Sequence, residues 1–335
     1  MFYFFCYTFL ESILPEKVNI LRTNMRCYII IFIYCFLLSS CCDSKSPGEG
    51  EHSNPPIIPE GSIENEGMEN PQYEGEERGE AEIYSTFWNY KQPFMLTYKI
   101  VAKYPHDNTA FTQGLIWDNN VLYESTGLYG QSSIRIVELE TGIPLLVRGL
   151  PQEYNGQNFN RVFGEGIAIM GNSLYQLTWK EEVCFIYSRN NLELQKVSYY
   201  TGEGWGLTCD GKNLIMSDGS AYLSFREPET FKIVKTILVQ ENGTPISHLN
   251  ELEFIEGYIC ANVWYKDYIL VIHPGTGFVV GKIDLQGLRN QLSNPHQADV
   301  LNGIAYRNDN NHLLVTGKYW DTLFEIELIQ KNTSR

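Results

Sequence analysis

The chain has 335 residues, a formal net charge of −15 and eight cysteines. Its acidic balance offers no basic face to a phosphate backbone, so we expect no nucleic-acid partner. Five cysteines precede residue 43, and the other three, Cys184, Cys209 and Cys260, are too far apart in sequence to form a metal-binding Cys-x-x-Cys pair. We therefore expect buried free thiols and no metal in the globular part.

The first 40 residues have the pattern of an export signal. Residues 1–24 are interpreted as a leader or as an artefact of an upstream start codon, because Met25 offers a second start. Residues 27–38 form a run of 12 apolar residues, which is too short to span a bilayer but suits the core of a signal peptide. We predict a lipoprotein signal peptide over residues 25–40.

The Leu-Ser-Ser-Cys motif that ends at Cys41 resembles the lipobox of bacterial lipoproteins. This resemblance implies cleavage before Cys41, a lipid on its thiol, and a lipid membrane as partner. The protein is then expected to be exported and anchored in the bacterial cell envelope, in the periplasm or at the outer membrane. An ordinary signal peptide and a short anchor helix are the alternatives that this pattern leaves open.

Residues 41–90 are predicted to form an acidic, disordered tether. Between residues 43 and 82, twelve acidic residues stand against two basic ones, which gives a net charge of −10. Such a segment cannot bury enough apolar surface to offset the entropy of its chain. Because its charges repel one another, the tether should be extended and hold the folded part away from its anchor.

Residues 91–335 are predicted to form one all-β domain made of repeats. The same short apolar frame recurs five times, anchored at Gly114, Gly166, Gly206, Leu252 and Gly303. The steps between these anchors are 52, 40, 46 and 51 residues, and alternating segments typical of four β-strands follow most of them. Repeats of this length with four strands each are typical of the blades of a β-propeller. We predict a five-bladed β-propeller with four antiparallel strands per blade.

The last repeat ends near residue 328 with only three strands, and one unassigned alternating segment, residues 96–103, precedes the first repeat. The simplest solution is that this N-terminal strand completes the last blade and closes the ring. Closure of this kind protects the sheet edges that an open ring would expose.

Polar or aromatic side chains occupy an equivalent place at the start of the first strand of each repeat. They are Gln113, Glu165, Trp205, Asn250 and Asn302. Because first strands line the channel of a propeller, we expect these side chains to converge on one pocket at its mouth. Glu165 lies between two glycines, which leave room for a ligand to approach its carboxylate. A solvated glutamate in a turn is the alternative.

Nine motifs between about residues 98 and 328 resemble, in their order, the signature of the plant and bacterial (papaya-type) glutaminyl cyclases. They are Phe111-Thr-Gln-Gly-Leu, Glu124-Ser-Thr-Gly-Leu, Phe163-Gly-Glu-Gly-Ile, Leu177-Thr-Trp-Lys, Gly204-Trp-Gly-Leu-Thr, Leu249-Asn-Glu-Leu-Glu, Ala261-Asn-Val-Trp, Leu301-Asn-Gly-Ile-Ala-Tyr and Val315-Thr-Gly-Lys. Each motif is weak alone, but nine in order are specific.

The resemblance implies an enzyme that converts the N-terminal glutamine of peptides or proteins to pyroglutamate with release of ammonia, without a cofactor or catalytic metal. It implies catalytic roles for Glu165 and Lys318. The substrate-binding residues that it implies are Phe111, Gln113, Trp179, Trp205, Asn250 and Trp264. One departure is the polar connection of residues 148–161, which is longer than the family needs and is expected to reshape the pocket rim.

The chemistry requires a proton to be taken from the α-amine and another to be given to the departing nitrogen. A free glutamate, with a pKa of about 4.3, is too weak a base for this task. Burial among tryptophans would raise the pKa of Glu165 into a useful range. Lys318 is expected to stabilise the oxyanion. A direct pair with Glu165 would instead lower that pKa and oppose the base role, so both roles of Lys318 stay open.

Two other functions are compatible with the scaffold. A propeller on the cell envelope could act as a binding module without turnover. A metal-dependent hydrolase would keep ligands near Glu124 and Asp218, but we expect no histidine to join them, which disfavours a metal site. The segment Gly202-Glu-Gly-Trp-Gly is too short for a phosphate loop, and no helical pattern follows it. We expect a monomer.

Overall fold

The computed structural model describes residue 88, residues 92–159 and residues 161–331. The predicted signal peptide, the lipidation site at Cys41 and the acidic tether lie outside the described residues. The described residues belong to one compact unit, residues 78–335. Within them, no helix combines the length and the apolar character that crossing a membrane requires.

The described part of the chain is all-β, with strands β1 to β24 and one short 3-10 turn, Arg289–Gln291. The first seven strands are β1 (Phe94–Pro105), β2 (Thr112–Asp118), β3 (Val121–Thr126), β4 (Ser133–Val137), β5 (Pro144–Gly149), β6 (Glu153–Tyr154) and β7 (Gln157–Asn158). The next eight are β8 (Gly164–Met170), β9 (Ser173–Thr178), β10 (Val183–Ser188), β11 (Leu194–Tyr199), β12 (Leu207–Cys209), β13 (Leu214–Ser217), β14 (Tyr222–Arg226) and β15 (Ile233–Leu238). The last nine are β16 (Gln240–Glu241), β17 (Thr244–Pro245), β18 (Leu249–Ile255), β19 (Tyr258–Val263), β20 (Tyr268–Ile272), β21 (Val279–Asp284), β22 (Leu301–Arg307), β23 (His312–Gly317) and β24 (Thr322–Gln330).

Consecutive strands pair antiparallel and form meanders. Strands β2–β5, β8–β11 and β12–β15 form three separate four-stranded sheets, whereas β18–β21 and β22–β24 are joined through β1 into a sheet of eight strands. The turns between strands are tight. Asn119 and Asn120 connect β2 to β3 with φ of 49° and 62°, the two positive values that a two-residue type I′ turn requires.

Strand β1 lies beside the last strand of the chain. It pairs antiparallel with β24 from Leu96, opposite Gln330, to Pro105, opposite Thr322. The beginning of β1 also pairs in parallel with β21. The expected segment, residues 96–103, therefore lies within a longer strand that has two partners.

The five strands that begin an antiparallel meander contact one another in a cyclic order. Strand β2 contacts β8, β8 contacts β12, β12 contacts β18, β18 contacts β22, and β22 contacts β2. Glycines allow the starts of these strands to approach closely, because a Cβ on Gly206 would overlap the Asn250 carbonyl, and one on Gly166 would lie 2.5 Å from the Leu207 nitrogen. The residues at the starts of the five strands are therefore brought together.

The folded unit begins before the predicted boundary at residue 91. Trp88 is only 5 % exposed, and its indole N–H donates a 2.8 Å hydrogen bond to the Ile255 carbonyl. The same ring stacks on Phe94 with 5.7 Å between centroids. An aromatic residue at the edge of the predicted tether thus belongs to the apolar core beneath β1.

The connection of residues 148–161 lies mainly against the outer strand of the second sheet. It contains the hairpin β6–β7, whose Tyr154 donates a hydrogen bond to the carbonyl of Gln195 on β11. Phe159 packs edge-on against Phe185, with 5.3 Å between ring centroids. Its last residue, Arg161, lies 5.4 Å from the centroid of the Tyr129 ring, which contacts Phe163 beside the candidate site.

The three cysteines of the described residues are free thiols. Cys184 and Cys260 are buried in strands, as expected, and burial raises the pKa of both thiols. Cys209 differs from the expectation, because it is only partly buried at the end of β12, where its thiol donates to the Ile169 carbonyl.

Candidate active site

Glu165 is the buried carboxylate at the start of β8. Its exposed fraction is 4 %, and a Cβ at Gly164 or Gly166 on either side of it would meet the backbone of a neighbouring strand. Burial raises its pKa well above the ordinary value of a glutamate, and the Lys318 charge opposes this rise. The nearby carboxylates of Glu181 and Glu203 add to the rise. The raised pKa makes this carboxylate a stronger base than an ordinary glutamate.

Gln113 and Asn302 form a chain of side-chain hydrogen bonds that ends on this carboxylate. Gln113 Nε2 donates to Glu165 Oε1 at 2.8 Å. Asn302 Nδ2 donates to Gln113 Oε1 at 3.2 Å and to the Thr112 carbonyl at 3.0 Å. Because the Gln113 oxygen is engaged by Asn302, its amide nitrogen must face Glu165. The side chains at the starts of β2, β8 and β22 are thus joined by hydrogen bonds.

Two buried amide oxygens at the same strand starts have no hydrogen-bond partner among the described residues. They are Asn250 Oδ1 on β18 and Asn302 Oδ1 on β22. Both residues are almost fully buried, with exposed fractions of 4 % and 0 %. Buried acceptors are normally satisfied, so these two oxygens are suited to accept N–H groups from a ligand.

Lys318, which follows β23, is a buried cation near Glu165 that does not pair with it directly. Its exposed fraction is 5 %, and its Nζ lies 4.4 Å from the centroid of the Phe111 ring. Burial lowers its pKa, while the charges of Glu165 and Asp299 raise it. Its charge acts on Glu165 through space, and no hydrogen bond joins the two side chains within the described ranges. The direct pair that would have opposed the base role is therefore not observed.

Aromatic rings form a partly exposed wall beside these polar groups. Phe111 contacts Phe163 edge-on, with 5.9 Å between ring centroids, and Phe163 contacts Trp179 at 5.6 Å. Trp205 contacts Trp264 edge-on at 5.6 Å. Except for Phe163, these rings are only partly buried, which favours a role in lining a pocket over a role in the core.

Glu203 joins the two halves of this aromatic wall, and the sequence analysis did not select it. Its Oε2 accepts the indole N–H of Trp179 at 2.7 Å and that of Trp205 at 3.0 Å. A signal was present, because the Gly-Glu-Gly triplet around Glu165 recurs around Glu203. Phe163 was likewise missed, although it precedes the first triplet directly.

Glu124 has a structural environment that the sequence analysis did not foresee. The expectation that no histidine joins it was wrong, because His106, in the turn between β1 and β2, places Nε2 3.0 Å from Glu124 Oε1. Thr112 donates to the same oxygen at 2.8 Å, and Arg135 lies 3.8 Å from Oε2. In the described residues no three potential ligands are grouped to hold a metal ion. Glu124 is therefore one partner of a buried ion pair, and His106 is the other.

A separate cavity of about 160 Å³ lies at the opposite ends of the first strands. Trp117, Cys209 and Glu253 are among the residues that line it. Burial raises the pKa of Glu253 to about 8, and its Oε1 accepts the Tyr306 N–H at 3.0 Å. None of the predicted site residues lines this cavity, so the candidate active site is the end of the strands that carries Glu165.

Comparisons with known proteins point to one family. The family model described as glutamine cyclotransferase matches residues 78–328. A glutaminyl-peptide cyclotransferase from Arabidopsis thaliana is 42 % identical over 236 residues, which is 69 % of this chain and 71 % of that protein. The crystal structure of the Myxococcus xanthus glutaminyl cyclase matches with a TM-score of 0.64 and 38 % identity, over 72 % of this chain and all of that one.

Proposed function

This chain belongs to the glutamine cyclotransferase family, and we propose that its glutaminyl-peptide cyclotransferase activity resides in the pocket around Glu165. The substrates are peptides or proteins with an N-terminal glutamine, which is converted to pyroglutamate with release of ammonia. One observation carries the assignment of the site. A buried carboxylate with a raised pKa lies among unpaired amide acceptors and partly exposed tryptophans.

Glu165 performs both proton transfers in this proposal. The substrate α-amine is mostly ammonium near neutral pH, with a pKa of about 7.7–8.0. Because burial raises the pKa of Glu165, its carboxylate can accept this proton. The free amine then attacks the γ-amide carbon, so the ring C–N bond forms and a tetrahedral oxyanion develops. Glu165 returns the proton to the amide nitrogen as the carbon–nitrogen bond breaks. The ring nitrogen still carries one proton too many and gives it to the departing ammonia, so that the lactam N–H remains and ammonium is released.

The amide side chains hold the glutamine in the geometry of attack. Gln113 fixes one oxygen of the Glu165 carboxylate, and Asn302 fixes Gln113. The unpaired Oδ1 of Asn250 accepts an N–H from the substrate amide. Holding amine and carbonyl in a near-attack arrangement lowers the barrier of an intramolecular reaction further.

Lys318 and the aromatic wall stabilise the charge that develops. A desolvated ammonium that forms no direct pair with Glu165 is suited to stabilise the oxyanion. Trp179, Trp205 and Trp264 pack on the aliphatic part of the glutamine side chain and exclude water. Exclusion of water suppresses hydrolysis of the amide to glutamate.

We also propose that the fold is a five-bladed β-propeller. The cyclic order of contacts between the five first strands supports five blades around one channel. The antiparallel pairing of β1 with β24 supports closure of the ring by the N-terminal strand, which gives the last blade its fourth strand. Such closure would place all five strand starts around one channel mouth.

For the N-terminal region we propose export and lipid anchoring at Cys41, with residues 41–90 as a tether and the enzyme as a monomer. The lipobox-like motif and the apolar run before it support this proposal. In a bacterial host supplied with labelled palmitate, the full chain should incorporate the label and Cys41→Ala should not. Equal labelling of both proteins would contradict lipidation at Cys41.

The activity is tested by incubating the full chain with a glutamine-initiated dipeptide and measuring ammonia. We expect ammonia in an amount equal to the pyroglutamyl product. The same dipeptide with an acetylated N-terminus is the control, because it lacks the attacking amine. Folded protein that released no ammonia would contradict the enzyme assignment and favour a binding module.

A further inference from the structure

We propose that Glu203 is a positioning residue that locks Trp179 and Trp205 together as one wall of the substrate pocket. This inference rests on the proposed function, since it assigns a role in the same pocket. It adds a residue that lies neither at a strand start nor in contact with the proposed acid–base group. Glu203 would position the substrate through the two tryptophans, in addition to its through-space effect on the pKa of Glu165.

One carboxylate oxygen holds both indoles. Glu203 Oε2 accepts the N–H of Trp179 at 2.7 Å and that of Trp205 at 3.0 Å. An indole has a single polar group, which is a donor, so one acceptor fixes the direction of each ring. Hydrogen bonds to a charged acceptor are stronger than those between neutral groups. The two rings are therefore held in a fixed mutual orientation.

The other carboxylate oxygen of Glu203 lies near Lys180, which also contacts Trp179. Glu203 Oε1 lies 3.6 Å from Lys180 Nζ, and this ammonium lies 3.9 Å from the centroid of the Trp179 ring. The cation–π contact covers one face of Trp179. Lys180 and Glu203 together leave Trp179 less freedom to turn away from the pocket.

We call the group of Glu203, Trp179 and Trp205 the clamp, and it connects different sheets. Trp179 follows the last residue of β9, in the second sheet, whereas Trp205 precedes β12, in the third. Trp205 contacts Trp264, which follows β19 in the sheet after that. Without Glu203, the two tryptophans of the second and third sheets would have no shared hydrogen-bond acceptor among the described residues. Glu203 thus makes one rigid wall from side chains of separate sheets.

The backbone around Glu203 is held independently of its side chain. Gly204 N donates to the Trp179 carbonyl at 2.8 Å, and Gly202 N donates to Glu182 Oε1 at 2.8 Å. Trp205 N donates to the Ser217 carbonyl at 3.0 Å. Because Glu203 is partly exposed, its removal should free the indoles without unfolding the chain. The residue can therefore be tested by substitution.

Two variants separate a role in orientation from a role of the negative charge. Glu203→Ala removes the oxygen that accepts both indole protons. Glu203→Gln removes the charge but keeps a carbonyl oxygen with two lone pairs, which can accept from both rings. Glu193→Ala, at an exposed position directly before β11, is the matched control for the loss of a surface carboxylate.

The kinetic readout is the separation of KM from kcat with a glutamine-initiated dipeptide. For Glu203→Ala we expect KM to rise about tenfold, the scale of one lost hydrogen bond to a charged group, and kcat to change less. For Glu203→Gln we expect KM within about threefold of the wild type, because a neutral acceptor still orients both rings. Glu193→Ala should behave like the wild type.

The structural readout does not depend on activity. In proton–nitrogen NMR spectra, the indole signals of Trp179 and Trp205, assigned with Trp179→Phe and Trp205→Phe, should shift and exchange faster in Glu203→Ala. They should stay close to their wild-type positions in Glu203→Gln. An equal rise of KM in both Glu203 variants would overturn the proposal in favour of a charge effect. A rise of KM without any change in the two indole signals would overturn it as well.

A failure of the proposed enzyme activity can be distinguished from a failure of the role proposed for Glu203. If the wild type released no ammonia, the proposed activity would fail for every variant alike. The indole signals of Glu203→Ala would still report whether one carboxylate holds both rings. Unchanged signals in that variant would overturn the clamp, whatever the activity.

Discussion

Gln113 Nε2 donates a 2.8 Å hydrogen bond to Oε1 of Glu165, and both side chains are almost fully buried. A donor on a carboxylate favours its ionised form, so this bond lowers the pKa of Glu165 while burial raises it. No hydrogen bond to Glu165 Oε2 is found within the described ranges. This oxygen is therefore the one that can exchange a proton with the substrate.

Replacing Gln113 by Met should shift the pH dependence of the reaction. Since the hydrogen bond lowers the pKa of Glu165, its loss should move the acidic limb of kcat/KM to higher pH. We expect kcat/KM at the optimum to fall about tenfold, because one positioning bond is lost. The measurement is a pH profile with a glutamine-initiated dipeptide. A limb that stayed in place or moved to lower pH would contradict this relationship.

Replacing Lys318 by Met should affect both kcat and the pH profile. The charge of Lys318 lowers the pKa of Glu165, so its removal should also move the acidic limb to higher pH. Loss of an oxyanion-stabilising group typically costs about 10²–10³ in kcat. Lys232→Met, at an exposed position, serves as the control. A Lys318→Met enzyme with wild-type kcat would show that this lysine does not stabilise the oxyanion.

The buried pair of His106 and Glu124 should make stability depend on pH. The pKa of His106 is raised, so its contribution is complete below about pH 6.5 and is lost as the pH rises through its folded-state pKa. The pKa of Glu124 is lowered, so its contribution is complete above about pH 4.5 and is lost as the pH falls through its folded-state pKa. The pair therefore stabilises the folded state most between about pH 4.5 and about pH 6.5.

His106→Gln tests this dependence through urea unfolding at several pH values. Near pH 5.5 the free energy of unfolding should fall by about 3 kcal/mol, because a buried pair loses one partner. As the pH rises through the folded-state pKa of His106, the difference from the wild type should become smaller, since the histidine then loses its charge in the folded state as well. His296→Gln, at an exposed position, should show no such trend. A constant difference across the whole range would contradict the linkage.

Truncation tests the role of β1. Removing residues 1–77 leaves the compact unit intact and should preserve folding and activity. Removing residues 1–106 deletes β1 and exposes the edge of β24, so aggregation or loss of cooperative unfolding is expected. The checks are size-exclusion chromatography and thermal unfolding. A stable, monomeric and active fragment of residues 107–335 would show that β1 is not needed for closure.

The candidate site could be predicted from the sequence where its residues lie in the repeated frame. Glu165, Gln113 and Asn250 occupy equivalent strand starts, and cyclic contact between these strands brings them together. Glu203 and His106 lie outside this frame. Glu203 accepts from Trp179 of a neighbouring sheet, and His106, in the turn after β1, contacts Glu124 on β3. Such pairings depend on tertiary packing.

Trp88 shows a second limit of sequence analysis. The charge and polarity of residues 43–82 predict a tether that continues toward residue 90, and a single aromatic residue does not change that composition. Its burial depends on the surface offered by Phe94 and Ile255, which is formed only once β1 and β18 are in place. Local composition does not contain this information.

The central claim is that Glu165 transfers both protons, and Glu165→Gln tests it most directly. Glutamine keeps the size and the hydrogen bonding of the side chain but cannot take the proton from the ammonium. We expect kcat to fall at the upper end of the range of about 10²–10⁴ that general acid–base loss costs, with KM nearly unchanged. The measurement is kcat and KM for Glu165→Gln and Glu124→Gln, with a thermal unfolding curve for each. A Glu165→Gln enzyme that kept more than about a tenth of wild-type kcat would contradict the account, because acid–base loss should cost far more.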